Sequence, residues 1–190
     1  MNALKKNNNN IHLLIEECIK NNKKAQLKIY ELFAAKMYNT CLRMIGNSAT
    51  AEDIMQEAFL SAFRSIKDFR KEVPFEAWLR RIIVNKTLDY LRKEKKSNLE
   101  FYEKIEEKAE PITIENDIDY EAVRKKLIKH IKEEMMLLPE GYRVIFSLYY
   151  FEGYDHDEIG QILNISPSSS RSQLTRAKQR ITNNLKQKPD

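Results

Sequence analysis

AEDIMQEAFLSAFRSI, residues 51–66, and FEAWLRRIIVNKTLDYLRKEKK, residues 75–96, are the two stretches whose patterning decides the fold. In the first, Ile54, Met55, Ala58, Phe59, Ala62, Phe63 and Ile66 recur at helical spacing and make one apolar stripe, which a helix buries against its neighbours. The opposite face then carries Asp53, Gln56, Glu57, Leu60 and Arg64. Spacing alone leaves that face either a solvated helix back or a surface that meets a partner. The second stretch places Phe75, Trp78, Leu79, Ile82, Ile83, Leu88 and Leu91 among Arg80, Arg81, Lys86, Arg92, Lys93, Lys95 and Lys96, with only Asp89 and Glu94 opposing them after Trp78. Basic side chains beside an aromatic suit nucleic acid, because phosphates attract Lys and Arg by counterion release and unpaired bases stack on rings. A lone Trp at this spacing equally suits a core.

Both stretches are helical, and the rest of the composition agrees. Glycine (4) and proline (5) are scarce in 190 residues, and long 3.6-period segments dominate, which predicts an all-α protein. Charged residues make up 32%, mean hydropathy is -0.61, and the net charge of +5 with a pI near 9.0 favours an acidic partner. No window approaches the ~20 consecutive apolar residues that span a bilayer. MNALKKNNNN at the start lacks the apolar core of a secretion signal, so a cytosolic protein with no membrane insertion is expected. Cys18 and Cys41 sit in helical patterns and predict reduced, buried thiols. His12, His130 and His156 are scattered without ligand spacing, so neither a metal nor a cofactor is expected.

Outward from the central pair, residues 1–10 are Asn- and Lys-rich and read as a disordered leader. Helical patterning starts near Ile11, and a longer helix runs from Ala25 to Ile45 with Gly46 as its stop. Ser48 or Thr50 is the expected cap of the 51–66 helix. Pro74 breaks the chain before the basic helix. Residues 97–122 invert the charge, with nine acids against two bases, and predict an acidic linker between an N-terminal domain, 11–96, and a C-terminal domain, 123–190.

In the C-terminal domain, Asp155 and Glu158 have capping-box spacing, and Ile159, Ile162 and Leu163 supply a buried side. After the turn NIS, Ser166 caps a second helix with Pro167 at its first position, and Leu174, Ala177 and Ile181 face inward. Two short helices with a tight turn, the second rich in Arg and Lys, predict a helix-turn-helix DNA reader. Its exposed first turns would present Ser169, Ser170, Arg171, Ser172 and Gln173, with Arg176 following, to base edges; Arg and Gln pair in bidentate fashion with guanine and adenine.

AEDIMQEAF, FEAWLRRIIVNKTLDYLR, LPEGYRVIFSLYYFEGYDHDEIGQIL and ISPSSSRSQLTRAK, in this order and with an acidic linker between the second and third, resemble an alternative bacterial sigma factor of the extracytoplasmic-function group. The resemblance covers about Ala25 to Leu185. It implies a protein without catalysis of its own, whose N-terminal domain binds the clamp helices of core RNA polymerase and opens the −10 promoter element. The C-terminal domain is implied to bind the polymerase flap and to read the −35 element as duplex. By the same resemblance Asp53, Gln56 and Glu57 match the polymerase-binding helix. Trp78, Arg81, Asn85, Lys86 and Arg92 match the helix that handles the melted non-template strand, and residues 68–75 match the loop that receives a flipped base. An anti-sigma factor is a further partner that the resemblance allows.

Two positions depart from the family. Gly160 stands where Ala is common and predicts looser helix packing, since Gly costs about 1 kcal/mol against Ala in a helix. Ser168, Ser169 and Ser170 stand where Gly-Thr-Val is common, which alters the base-contacting end. The reading from another class is a self-sufficient helix-turn-helix regulator, which binds its operator tightly without polymerase. A helical adaptor that binds only proteins is the third, and it shows no salt-dependent DNA affinity.

Overall fold

The computed structural model describes residues 2–94 and 120–187. The chain forms two compact units, Met1–Lys96 and Ser97–Asp190. All regular structure among the described residues is helical. The first unit holds α1 (Asn2–Ile19), α2 (Lys23–Ile45), α3 (Ser48–Arg64), a 3-10 turn (Ile66–Asp68) and α4 (Phe75–Glu94); the second holds α5 (Tyr120–Leu137), α6 (Glu140–Tyr150), α7 (His156–Leu163) and α8 (Pro167–Gln187). Most of the expected linker, 97–119, lies outside the described residues, as do Lys95 and Lys96.

Helix boundaries follow local chemistry. α1 begins at Asn2, so residues 2–10 are helical where a disordered leader is expected. Once the patterned turns from Ile11 onward exist, each added polar residue extends the helix without a new nucleation step. Asn22 caps α2, its side chain accepting from the Lys24 and Ala25 amides at 3.0 and 3.4 Å. Gly46 ends it in the left-handed region at φ 82°, with its N–H on the Leu42 carbonyl. The cap of α3 is Asn47 rather than Ser48 or Thr50: its side-chain oxygen accepts the Thr50 amide at 3.0 Å. An extended residue directly after the Gly46 turn is already in N-cap geometry, which leaves Ser48 as the first helical residue.

The core of the first unit lies between α2, α3 and α4, with α1 laid against α2. Ile29, Phe33 and Met37 meet Ile54, Ala58 and Phe59, and Leu79 and Ile83 close the third side. Ile15 and Cys18 bring α1 into the same core, where burial pushes the Cys18 thiol up to about 11. Cys41 is equally buried, and its sulfur accepts from the Thr87 hydroxyl at 3.5 Å. Between the 3-10 turn and α4 the chain is held by rings: Phe69 and Phe33 lie 5.4 and 5.6 Å from Phe75, and Trp78 lies 5.4 and 5.5 Å from Phe69 and Phe75. Pro74 starts α4 by offering its carbonyl to the Ala77 and Trp78 amides.

In the second unit α8 is the central element, against which α5, α6 and α7 lie. Leu174, Ala177 and Ile181 are buried along it. A buried carboxylate, Glu134, accepts from Asn184 at 2.8 Å and fastens α5 to α8. Asp155 makes the expected capping box: its side chain accepts the Asp157 and Glu158 amides, and Glu158 accepts the Asp155 amide in return. α7 stops at Asn164 in the left-handed region, and Ser166 caps α8 by accepting the Ser169 amide at 3.0 Å.

Gly160 is where the turn is tightest. A Cβ there would stand 2.9 Å from the Ile165 carbonyl oxygen and 3.5 Å from the Pro167 nitrogen, both backbone. The glycine therefore does not loosen α7 against α8; it permits their approach. Helix propensity favours Gly160→Ala by about 1 kcal/mol, but the backbone clash outweighs it. Gly160→Ala should lower the thermal midpoint of the full chain by circular dichroism, and a raised midpoint would show that the turn opens freely.

Candidate nucleic-acid interface

Three outward faces carry the residues singled out from the sequence. On α3, Ile54, Met55, Ala58 and Phe59 are buried, which turns Asp53, Gln56 and Glu57 to solvent, with Leu60 57% exposed beside them. Gln56 donates to Glu52 at 3.3 Å, so a third acid belongs to the face. A shallow groove lined by Leu27, Tyr30, Phe59, Leu60 and Phe63 runs alongside. Leu27 is the residue that sequence reasoning missed: it stands on α2, and only the docking of α2 on α3 brings it near Leu60. Acids along α3 beside exposed leucines, with Lys23 on the α2 side of the groove, suit a protein surface that offers cations and an apolar slot.

On α4, buried Leu79, Ile83, Thr87 and Leu91 set the rotation of the helix. Trp78, Arg81, Asn85 and Arg92 then share one stripe at spacings of three, four and seven. Arg81, Asn85 and Arg92 are exposed, and Lys86 and Trp78 are half-buried. The indole lies over Phe69 and Phe75, which answers the question of core or surface with both: part of the ring completes an aromatic cluster and the remainder stays accessible. Asp89 interrupts the stripe and accepts from Arg92 at 3.1 Å. Lys71, in the preceding loop, sits at φ 61°, an uncommon conformation for a side-chain-bearing residue, and lies 3.6 Å from Glu16 of α1.

On α8 the structure corrects the sequence. Arg171 and Ser172 are exposed, Ser169 and Arg176 half-buried, but Ser170 and Gln173 are buried at 0% and 1% exposure. They lie on the side of Leu174 and Ala177, because residues 170, 173, 174, 177 and 181 form the inner stripe of a 3.6-residue helix. Neither can present its side chain to a base edge in this arrangement. Gln173 donates to Ser169 at 3.3 Å, and its carbonyl oxygen is buried with no hydrogen-bond partner among the described residues. The side opposite the inner stripe carries Ser168, Arg171 and Ser172, all exposed, with Thr175 and Gln179 half-buried along it. Thr175 and Gln179 were legible in the sequence, since they follow Arg171 and Ser172 at three, four and seven residues once Leu174 and Ala177 are taken as inner.

Ser170 meets His156, whose Nδ1 is 2.9 Å from its hydroxyl oxygen, and the imidazole is stacked on Tyr149 at 4.9 Å. Burial lowers the His156 pKa, Arg171 and Lys178 lower it further, and Asp155 and Asp157 oppose them. A histidine harder to protonate in the folded chain contributes stability that is complete above about 6.5 and is lost as pH falls through the lowered folded value. The thermal midpoint of the full chain should therefore drop between pH 7 and pH 5.5. His156→Asn should flatten this part of the profile, and an unaltered slope in that variant would remove His156 as its source.

Three kinds of similarity bear on these faces. Residues 29–97 match the family model described as Sigma-70 region 2, and residues 130–181 match that described as Sigma-70, region 4. The chain is 31% identical over 188 residues to the ECF RNA polymerase sigma factor SigW of Bacillus subtilis (strain 168), covering 93% of this chain and 99% of that protein. It is 28% identical to the ECF RNA polymerase sigma-E factor of Escherichia coli (strain K12), covering 91% and 93%. Among solved structures, the fold is similar to that of the sigma factor RpoE in complex with the anti-sigma factor NepR from Bartonella quintana, with a TM-score of 0.54 at 19% identity, covering 85% of this chain and 97% of that one. It is similar too to CnrH in complex with the cytosolic domain of CnrY, with a TM-score of 0.53 at 19% identity, covering 93% and 97%. Region 2 falls on the unit that carries the α3 and α4 faces and region 4 on the unit built around α8, so this chain belongs to the extracytoplasmic-function group of the sigma-70 family.

Proposed function

We propose that this sigma factor docks on core RNA polymerase through the outward face of α3, captures the melted non-template strand of the −10 element along α4, and reads the −35 element as duplex with α8. It works by binding alone, in the cytoplasm, with no chemistry of its own. Residues 11–96 serve clamp binding and −10 opening, residues 123–190 serve −35 reading, and the acidic segment 97–122 links them. An anti-sigma factor fits as a further partner, since RpoE, of similar fold, is found in a complex with one.

The observation that carries the reading is the α4 stripe: exposed Arg81 and Asn85 next to a Trp78 ring that is half-covered by Phe69 and Phe75. An isolated duplex reader has no use for such a platform. An unpaired base needs one, because extruding it costs a few kcal/mol that stacking and phosphate contacts must offset. On α8, Arg171 stands exposed on the outward face and is the side chain suited to a guanine edge, with Ser172 beside it and the half-buried Arg176 at the edge of that face. Ser169 stands at the edge of that face.

Reversing both acids on α3, in Asp53→Lys with Glu57→Lys, should weaken retention on immobilised core polymerase by about tenfold or more while the circular dichroism spectrum is kept. Undiminished retention would return the face to bulk solvent.

Arg81→Ala with Asn85→Ala removes two exposed side chains and no core atoms, so the chain should fold and load on polymerase normally. Permanganate reactivity of −10 thymines on a duplex promoter should fall sharply, and a template with a pre-melted bubble should recover most of the transcript, because the unpairing cost is then absent. Normal reactivity on the duplex would take α4 out of strand opening.

A further inference from the structure

We propose that His156 is a positioning residue that sets the rotation of α8 about its own axis, and with it the base preference of the −35 reader. The inference rests on α8 being that reader. His156 opens α7, stacks on Tyr149 near the end of α6 at 4.9 Å and 25° between planes, and places Nδ1 2.9 Å from the Ser170 hydroxyl. One ring thus ties three helices together at the first turn of α8. Ser170 is fully buried and immediately precedes Arg171, so what holds Ser170 also aims Arg171.

The chemistry of the contact is what makes it a positioning device. Apolar burial is non-directional and tolerates rotation of a helix by some degrees, whereas a hydrogen bond weakens steeply with angle. Leu174, Ala177 and Ile181 hold α8 down without specifying its rotation as closely. The buried hydroxyl of Ser170 does specify it, since leaving it without a partner is unfavourable. The groups facing the imidazole are Asp155 and Asp157 from α7 and its cap, Arg171 and Lys178 from α8, and the Tyr149 ring from α6. The lowered pKa keeps the ring neutral near pH 7, so either Nδ1 accepts from the hydroxyl or the other tautomer donates to it.

The test compares holoenzymes assembled with wild-type chain and with His156→Phe, His156→Asn, Ser170→Val and the double variant His156→Phe/Ser170→Val, on a promoter library randomised in the −35 region. Thermal midpoints and core-polymerase retention are measured alongside. His156→Phe keeps the stacking and loses Nδ1, and should cut discrimination at the bases nearest Arg171 by about tenfold with polymerase retention unchanged. His156→Asn, which keeps an acceptor at the Nδ1 position, should recover part of it. The double variant removes both polar groups together, so it should regain stability over the single variants without regaining the wild-type preference. Discrimination that returns in step with stability in the double variant would make His156 a packing residue only and overturn the proposal. A wild-type preference kept by every variant also overturns it, with the reader assignment intact. A wild-type chain without any upstream preference removes both.

Discussion

Phe75 is the constraint on which the first unit depends. It follows Pro74 directly, so it is the first residue able to anchor α4, and it is buried between Phe33 of α2, Phe69 of the loop and Trp78 one turn on. Removing such a ring from a core costs about 3–5 kcal/mol, a large part of the stability of a small domain. More than stability hangs on it. The ring fixes the start of α4, and 3.6-residue periodicity then dictates that Arg81, Asn85 and Arg92 leave on one side. The same ring holds Phe69 inward at the start of the loop in which Lys71 adopts the left-handed region.

The second unit reaches its working surface by a different route. Its helices are short, and backbone contacts that only small or specially disposed residues allow position them: Gly160 under the Ile165 carbonyl, Asn164 in the left-handed region, Pro167 at the first turn of α8. Polar groups inside the unit then refine the fit. Glu134 with Asn184, Arg143 on the Met136 and Leu138 carbonyls, and His156 with Ser170 each join elements by directional bonds. Such bonds are individually modest in net stability. They distinguish between alternative packings that hydrophobic burial would rank about equally.

Charge is arranged to match the division of labour. Acids gather on the outward face of α3, while α4 beyond Trp78 and the whole of α8 are dominated by Arg and Lys. Under the proposed function, opposite signs on neighbouring helices of one unit steer a protein surface and a phosphate backbone to different faces, and association with both is salt-dependent at the distances over which charges act.

The sequence by itself determined where the helices from Ile11 onward lie, the stop of α2, the caps of α7 and α8 and the presence of three candidate faces, because periodicity, Pro74, Gly46, the Asp155–Glu158 box and Ser166–Pro167 are local signals whose meaning does not depend on distant residues. It identified Asp53, Gln56 and Glu57 as outward for the same reason, apolar neighbours three and four residues away leaving one side free, whereas Arg81 and Asn85 were singled out by resemblance to the family. Tertiary structure alone decided the rest. Asn47 took the cap because of where Gly46 delivers the chain. Trp78 became half core and half surface because Phe69 comes from a different segment, and Leu27 joined Leu60 because α2 lies on α3. Ser170 and Gln173 read as exposed from their place in the first turns of α8, yet both are buried. Polarity is a property of one residue, whereas burial belongs to the helix register, and His156, fourteen positions earlier in the chain, supplies the partner that makes a hydroxyl acceptable inside.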